Sequence, residues 1–301
     1  MLPSVERYAR GVAAHESAVL GQFIPLHYHY HMLTDESRMA PFAEAIALVV
    51  APGMRVVDLG AGTGVLSFFA ARAGAGSVWS VEANPELAAA ARTNLGRNGV
   101  ADRVHVVDAD ASAYVPPEPV DVVICEMLHT GLLREKQVDV LRAFKAHYLE
   151  AHGPPLPRFV PEGYVQAVQP VQQDWNYAGY AAEFPHFQHP SVEQARTVAL
   201  ADPALYDSGL YEGDLPEVIA WDGMIVIGQA GHLNALRIIT KNLVAIVAAE
   251  GRSVDWLNSY MIVPLAEALD VAAGDRVRIA FSYRPGAQLD ALVPTVTRAA
   301  G

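Results

Sequence analysis

The sequence predicts an α/β fold, in which a parallel sheet covered by helices is followed by a β-barrel-like antiparallel sheet. Two different sequence patterns support this prediction. Between residues 36 and about 150, helical patterns alternate with short apolar runs such as RVVDLG, SVWSVE and DVVICE, which is typical of parallel strands buried on both faces. Farther along, period-two segments such as YVQAVQPV and RVRIAFSY are separated by Gly, Pro and Asp turns, which indicates antiparallel strands.

The change in texture at the Pro-rich stretch 154–161 predicts a domain boundary. We expect an N-terminal helical segment and the parallel α/β domain in residues 1–155, and the β-barrel-like domain in residues 156–301. An aromatic-rich segment at about 173–205 does not alternate like a strand, and we expect a helical arm inserted in the barrel. Clustered aromatic side chains are typical of interface anchors and predict a homodimer; the alternative is that they cover the barrel's own core. They are Trp175, Tyr177, Tyr180, Phe184 and Phe187.

Composition and charge narrow the class of protein. The 301 residues are 52% hydrophobic and 18% charged, as in globular proteins, and no apolar run reaches the roughly 20 residues that cross a bilayer. The first residues lack the basic-then-apolar order of a secretion signal, so we expect a cytoplasmic protein without a membrane partner. The formal net charge of −12 disfavours nucleic acid as a partner and suits a cationic substrate, unless it serves solubility alone. The one cysteine, Cys125, excludes an internal disulfide and is expected to be a small buried hydrophobic side chain rather than a nucleophile.

The segment VVDLGAGTGVLSFFAA, residues 56–71, predicts a strand that turns through three glycines into a helix. Gly60, Gly62 and Gly64 let the backbone pass close beneath a bound ligand. Their G-x-G-x-G spacing differs from the G-x-G-x-x-G of dinucleotide-binding turns, so a nicotinamide enzyme is the poorer fit. The alternative is a tight strand–helix turn that binds nothing.

Acidic residues end the next two predicted strands. Glu82 follows Asp58 by 24 positions, and a carboxylate at the end of the second strand is placed to accept hydrogen bonds from two ribose hydroxyls. Asp108 and Asp110 end the third strand, and either could accept from an exocyclic adenine amine. Three strand ends in register therefore predict a Rossmann-like cofactor site.

The order of glycine turn, VE, DAD and ICE resembles the class I S-adenosylmethionine-dependent methyltransferases. Two further features resemble the protein arginine methyltransferases within that class: the paired Glu126 and Glu135, and MLTDESR, residues 32–38, which in that family folds over the cofactor. The later barrel, its arm and a Trp-containing loop are similar too. The resemblance implies S-adenosyl-L-methionine as the cofactor, with Arg38 gripping its carboxylate. The cofactor-binding residues are then Met32, Arg38, Asp58, Gly60, Gly62, Gly64, Glu82, Asp110 and Ala111.

Glu126 and Glu135 stand nine positions apart, after the fourth predicted strand. A guanidinium is a poor nucleophile because its nitrogen lone pairs are delocalised. Two carboxylates that bind it would orient its plane, draw positive charge toward the bonded nitrogens and offset repulsion from the cofactor's sulfonium. We expect Glu135 in the first turn of the following helix, where the helix dipole favours its ionised form. The alternative makes Glu126 a strand-end surface charge and Glu135 an ordinary helix N-terminal acid or a partner of Arg134.

Departures from the family pattern concern the acceptor. The family's Thr-His-Trp loop reads Val-Asp-Trp at residues 254–256, so the histidine expected to pair with Asp35 is replaced by a second acid, Asp255. Met127 and Phe23 stand where the family usually has Trp and a substrate-contacting Tyr. These changes indicate an altered acceptor pocket and put peptidyl arginine in doubt more than methyl transfer.

The two acids Asp35 and Asp255 would face each other unless a cationic or protonated group lies between them. A histidine from HYHYH, residues 27–31, could fill that gap. Alternate histidines would share one face of an extended segment, but no acidic or cysteine ligand stands at a fixed spacing, so no metal is expected. Trp256 and Met32 are equally compatible with a place in the core.

Together these features predict an S-adenosylmethionine-dependent N-methyltransferase acting on a guanidine or arginine group. The expected partner is a cationic acceptor, either an arginine side chain or a small guanidine or amine. Two alternatives stay open: a methyltransferase that tailors a free amine or amino acid, and a non-catalytic scaffold that keeps the cofactor fold. The predicted catalytic residues are Glu126, Glu135, Asp35 and Asp255, and the predicted substrate contacts are Glu126, Glu135, Trp256, His29 and Phe23.

Overall fold

A five-stranded parallel sheet flanked by helices forms the first part of the computed structural model, which describes residues 26–299. The predicted substrate contact Phe23 lies outside these residues. The helices are α1 (Leu26–Thr34), α2 (Glu36–Val49), α3 (Val65–Ala73), α4 (Pro85–Arg97) and α5 (Gln137–His152). The strands are β1 (Arg55–Leu59), β2 (Ser77–Glu82), β3 (Val104–Asp108), β4 (Val122–Cys125) and β5 (Arg158–Val160).

The parallel sheet has the order β3-β2-β1-β4-β5. Its central strands are almost entirely buried, as expected for apolar runs covered by helices on both faces. The order reverses between β1 and β4, and the strands' carboxyl ends flank the crevice where ligands bind in such sheets. The predicted Rossmann-like fold is confirmed.

Local signals in the sequence fix where α4 begins. The Asn84 side chain accepts hydrogen bonds from the backbone N–H groups of Glu86 and Leu87, at 2.9 and 3.4 Å. Pro85 occupies the first turn, where its missing N–H has no helical partner to lose. The chain therefore turns into the helix three residues after Glu82, and the carboxylate stays at the end of its strand.

Antiparallel strands form the second part of the fold. They are β6 (Gly163–Gln173), β7 (Asn176–Tyr177), β8 (Tyr180–Ala181), β9 (His186–Gln188), β10 (Thr197–Ala199), β11 (Ala204–Leu210), β12 (Ile219–Val226), β13 (Gly231–Val247), β14 (Arg252–Leu257), β15 (Tyr260–Val271), β16 (Arg276–Tyr283) and β17 (Thr295–Arg298). A seven-stranded sheet has the order β10-β6-β13-β15-β9, with β11 also paired to β6 and β14 to β13, while β12-β16-β17 and β7-β8 form smaller sheets. The predicted barrel-like antiparallel part is confirmed.

The prediction of a helical arm is wrong. Residues 173–205 form short strands and turns without a helix. The segment is strand-like because β9 pairs with β15 and β10 pairs with β6, which are pairings with distant parts of the chain. Trp175 is buried against Val171, Ala235 and Ile262, so this side chain does cover the barrel's own core. Tyr180, Phe184 and Phe187 remain exposed.

The parallel and antiparallel parts of the fold share a large hydrophobic core. A single cluster of buried side chains includes Phe42 from α2, Ile124 from β4 and Phe281 from β16. The parallel sheet also continues past residue 155, since β5 pairs with β4, and the domain division stays a prediction. Within residues 26–299, no helix is long and apolar enough to cross a membrane.

Candidate active site

The side chains of His29 and Met127 pack directly against the backbone of the glycine turn after β1. Gly60 and Gly62 have φ values of 72° and 55°, in the left-handed region that favours glycine. A Cβ added at Gly62 would lie 2.8 Å from Cε1 of His29, and one added at Gly60 would lie 3.1 Å from Sδ of Met127. The cradle therefore has no room for a side chain. A Cβ at Gly64 would instead meet Leu95 in α4 at 3.1 Å, so Gly64 serves helix packing.

Glu82 closes the open side of this turn. Its Oε2 accepts a hydrogen bond from the backbone N–H of Gly62, and its Oε1 accepts one from Asn84, both at 2.8 Å. The side chain is buried, yet each carboxylate oxygen keeps a second lone pair for a ligand hydroxyl. The carboxylate is thus fixed at the strand end, as the sequence predicts.

The acids at the end of β3 take different positions. Asp108 forms an ion pair with Arg92 at 2.8 Å, and both side chains are exposed. Asp110 lines the cavity beside Ala111, and its Oδ1 accepts from both N–H and Oγ of Ser112 at 2.8 Å. Of the two acids that the sequence left open, Asp110 is the one placed to meet a ligand.

Asp58 lies below the turn rather than in the cavity. It is fully buried and accepts a hydrogen bond from Ser67 Oγ at 2.6 Å. Burial raises the pKa of its carboxyl from 3.8 to about 7, with a further contribution from the charge of Glu82. Asp58 therefore connects β1 to α3 through Ser67, which differs from the direct ligand contact expected for it.

A cavity of about 440 Å³ opens at the carboxyl edge of the parallel sheet, a size typical of small-ligand sites. The walls combine the glycine turn, the strand-end acids and both candidate catalytic glutamates. His29 and Met32 of α1 also line this cavity. The lining residues that matter here are His29, Met32, Gly60, Gly62, Glu82, Asp110, Ala111, Glu126, Met127 and Glu135.

Glu126 follows β4 and already holds a guanidinium. Its Oε2 accepts a hydrogen bond from Arg38, and both side chains are largely buried. The Arg38 guanidinium also lies 5.1 Å from the centre of the Trp256 ring, a cation–π contact. The second oxygen of Glu126, Oε1, is buried and has no hydrogen-bond partner among the described residues. The pairing with Arg38 was not predicted, because Arg38 was expected to hold the cofactor.

The expectation that the helix dipole acts on Glu135 from within the first turn is wrong. The helix α5 begins at Gln137, with Lys136 as its N-cap residue, so Glu135 precedes it. Burial raises the pKa of the Glu135 carboxyl, opposed by the positive charges of Arg38 and Arg134. Desolvation, rather than the helix dipole, is the main influence on the pKa of this carboxyl.

The backbone between the two glutamates is strained. Leu132 and Arg134 have φ values of 55° and 59°, which side-chain-bearing residues rarely adopt. The N–H of Glu135 bonds back to the carbonyl of Leu133 at 2.6 Å across Arg134, which makes a γ-turn of the rare positive-φ form. Strain of this kind concentrates at functional sites.

The barrel holds this strained loop in place. Thr130 Oγ1 donates to the carbonyl of Ser259 at 2.6 Å, and the N–H of Gly131 donates to Thr240 Oγ1 at 2.8 Å. The N–H of Arg134 donates to the carbonyl of Ala287 at 2.7 Å. Both parts of the fold therefore shape the loop that joins Glu126 to Glu135.

Asp35 and Asp255 have separate partners. Asp35 caps α2, since its Oδ1 accepts from the N–H of Arg38 at 3.3 Å and from Ser37 Oγ at 2.6 Å. Asp255 forms an ion pair with Lys241 at 2.5 Å, and its Oδ1 is buried with no hydrogen-bond partner within residues 26–299. The cation beside Asp255 is thus a lysine from the adjacent strand β13, which only the pairing of β13 with β14 could have predicted.

The histidines of residues 27–31 lie in α1 rather than in an extended segment, so alternate positions do not share a face. His29 is buried over Gly62 in the cavity wall, while His31 is exposed. Trp256 is buried and packs edge-on against Phe42 at 5.9 Å, so it forms part of the wall behind Arg38.

A reversed strand order, a glycine cradle and strand-end acids define an α/β protein that binds a nucleoside cofactor. The methyltransferase domain family matches residues 56–150. A protein of Methanothermobacter thermautotrophicus described as uncharacterized is 36% identical over 270 residues, which are 89% of this chain and 97% of that protein. The arginine N(omega)-methyltransferase of Streptomyces achromogenes is 35% identical over 134 residues, covering 43% of this chain and 37% of that protein.

A solved structure, the Trypanosoma brucei PRMT1 enzyme-prozyme complex with AdoHcy, matches with a TM-score of 0.70 at 18% identity, over 91% of this chain and 98% of that chain. This chain belongs to the class I S-adenosylmethionine-dependent methyltransferases and resembles the protein arginine methyltransferases. Its cofactor is S-adenosylmethionine. The site fits that cofactor, because the cradle at Gly62 admits no side chain and the fixed Glu82 carboxylate retains free lone pairs beside it.

Proposed function

We propose that the protein methylates a guanidine nitrogen, with Glu126 and Glu135 binding the acceptor. The observation that carries the proposal is that both carboxylates line the cofactor cavity while Glu126 already binds a guanidinium, that of Arg38. The positive charge of Arg38 also acts on Glu135. A pair of acids that accommodates one guanidinium from the chain has the chemistry to accommodate another from an acceptor.

Different residues around the cavity would bind the cofactor and the acceptor. The cofactor supplies a methyl group carried on a positively charged sulfonium. Glu82 would bind the ribose of the cofactor and Asp110 its adenine. Arg38 would bind the carboxylate of the cofactor. Glu126, whose Oε1 has no hydrogen-bond partner in the described part of the chain, and Glu135 would orient the acceptor guanidinium and offset the second positive charge.

Glu135 is also suited to receive the proton that the guanidine loses. A carboxyl whose pKa is raised by burial is a stronger base than an ordinary glutamate. It lies in the same cavity as Glu126, so the acceptor would meet both carboxylates. Positioning would supply most of the rate, because alignment of two reactants is worth roughly 7–11 kcal/mol.

Names of similar proteins support a guanidine acceptor but differ in its form. The relative from Streptomyces is named an arginine methyltransferase, while a rice relative, 32% identical over 170 residues, is named a protein arginine N-methyltransferase. This chain covers 44% of that rice protein. A free small molecule is the second candidate acceptor, and the Lys241–Asp255 pair favours it, because it replaces the histidine loop of the family.

The test is an incubation with methyl-labelled cofactor and separate acceptors: free arginine, arginine-containing peptides, lysine, and small primary amines. Mass identification of the product should show methyl on a guanidine nitrogen. Label on an amine alone, with every guanidine unmodified, would overturn the guanidine proposal and leave methyl transfer standing.

We also propose a homodimer that uses the exposed aromatic residues of the segment 173–205, and a cytoplasmic setting. Tyr180 and Phe184 are 72% and 48% exposed, and large apolar groups in water are typical of contact surfaces. The buried single thiol, Cys125, suits a reducing compartment.

A further inference from the structure

The side chain of Gln137 contacts the backbone on both sides of Glu126, a position that no sequence pattern singled out. Its Nε2 donates to the carbonyl of Cys125 at 2.7 Å, and its Oε1 accepts from the N–H of Met127 at 2.9 Å. These are the residues on either side of Glu126. Gln137 is also the first residue of α5 and follows Glu135 by two positions.

The amide of Gln137 is 1% exposed, so water cannot replace either bond. Breaking either bond would leave a buried polar group without a hydrogen-bond partner, which costs free energy. The arrangement of the strand end that keeps both bonds is therefore favoured. The Glu135 side of the loop is held separately, by the γ-turn and the bond from Arg134 N–H to Ala287. The backbone flanking Glu126 depends on Gln137.

We propose that Gln137 is a positioning residue that fixes Glu126 and sets its spacing to Glu135; this rests on the proposed function of the two glutamates. An amide can do this because it donates and accepts at once, and so bonds two backbone groups that flank one residue. An apolar side chain of the same size would fill the space and leave both backbone groups unpaired.

The first test compares Gln137→Met with Gln169→Met. Gln169 is a matched control, because it is also buried, donates to the carbonyl of Ala201 at 2.8 Å and accepts from Arg237 at 2.9 Å, but lies in the barrel. Gln137→Met should lower kcat by roughly tenfold to a hundredfold, since small misplacements near reacting atoms have effects of this size. Cofactor affinity should stay within about twofold. Equal losses of kcat in both variants, or no loss in Gln137→Met, would overturn the proposal.

A second variant separates positioning from mere stability. In Gln137→Glu, the protonated carboxyl can donate to Cys125 and accept from Met127 as the amide does, whereas the ionised carboxylate cannot donate. The ratio of its kcat to that of the wild type should rise as pH falls. A ratio that stays low at every pH, including the pH at which the carboxyl is protonated, contradicts the positioning role.

A third test, amide hydrogen exchange at Met127, can be measured without any methyl transfer. Its N–H should exchange slowly in the wild type, fast in Gln137→Met and slowly in Gln169→Met. Unchanged protection in Gln137→Met overturns the inference even if the clamp is right. A wild type that methylates no guanidine overturns the proposed function instead, and the exchange result still decides whether Gln137 fixes the strand end.

Discussion

At the residue scale, the role proposed for Glu126 and Glu135 depends on their charge more than on their shape. The substitutions Glu126→Gln and Glu135→Gln keep the size of each side chain and remove its charge, so a cationic acceptor loses one of its two counter-charges. We expect each to slow methyl transfer by roughly a hundredfold or more, with cofactor affinity nearly unchanged. Single-turnover rates and calorimetry measure the two effects. Glu150→Gln, at an exposed position of α5, is the control, and normal turnover in the two active-site variants would disprove the clamp.

The buried acid Asp58 makes stability depend on pH. Folding raises its pKa from 3.8 to about 7, chiefly by burial, so the folded state binds the proton more tightly than the unfolded state does. Its contribution to the free energy of unfolding therefore decreases as pH rises from about 4 to about 7. Asp58→Asn cannot ionise, so its stability relative to the wild type should increase over this range.

Thermal unfolding of the cofactor-free protein between pH 4 and pH 8 measures this trend. Ser67→Ala should steepen the decrease, because the bond from Ser67 favours the ionised carboxylate. A difference between Asp58→Asn and the wild type that is the same at every pH would show that Asp58 does not titrate as described.

Sequence reasoning located residues that follow from the ends of strands. Glu82 and Asp110 were found because the carboxyl ends of parallel strands meet at one edge. The bond between Arg38 and Glu126 spans 88 positions, and nothing local in the sequence encodes it. Gln137 was missed because a buried glutamine follows no spacing rule, and its role exists only once the strand end and α5 are packed together.

At the element scale, the turn between β1 and α3 needs glycine for two reasons, a positive φ and a lack of space for a side chain. Experiments can measure the two effects separately. Gly62 and Gly53 both have positive φ, 55° and 84°, but an added Cβ meets His29 at 2.8 Å at the first and nothing within 4 Å at the second. Gly62→Ala and Gly53→Ala should each lose about 1–2 kcal/mol of stability from backbone strain. Only Gly62→Ala should weaken cofactor binding, by tenfold or more, because it displaces α1 from the cavity. Calorimetry giving equal affinities for both variants would contradict this.

Elements were predicted well where their pattern is local and poorly where it depends on distant partners. The repeating helices and apolar strands of the parallel sheet have clear periodicity, and Asn84 marks a helix start in the sequence. The segment 173–205 was assigned to a helix because β9 and β10 are only three residues each, too short to show alternation. Their structure comes from pairing with β15 and β6.

At the scale of the whole molecule, the exposed aromatic side chains of residues 173–205 predict self-association. We expect a dimer by light scattering at micromolar concentration, and a shift toward monomer when Tyr180 and Phe184 are both changed to Ser, since apolar contact area is lost. Leu205→Ser is the control, because Leu205 is 70% exposed but aliphatic and at the end of the segment. A monomeric wild type, or equal weakening by the control, would remove these aromatic residues from the interface.

The hydrogen bonds that tie the loop at 130–134 to the barrel have a consequence for how such proteins diversify. Under the proposed function, the methyl donor is bound at the carboxyl edge of the parallel sheet, whereas the loop at 130–134, which joins Glu126 to Glu135, is hydrogen-bonded to Ser259, Thr240 and Ala287 in the barrel. Recombination between relatives at the junction near residue 160 would then exchange the compound that is modified and preserve the source of the methyl group. Changes in the barrel would then give a route to new acceptors that leaves the binding of the methyl donor intact.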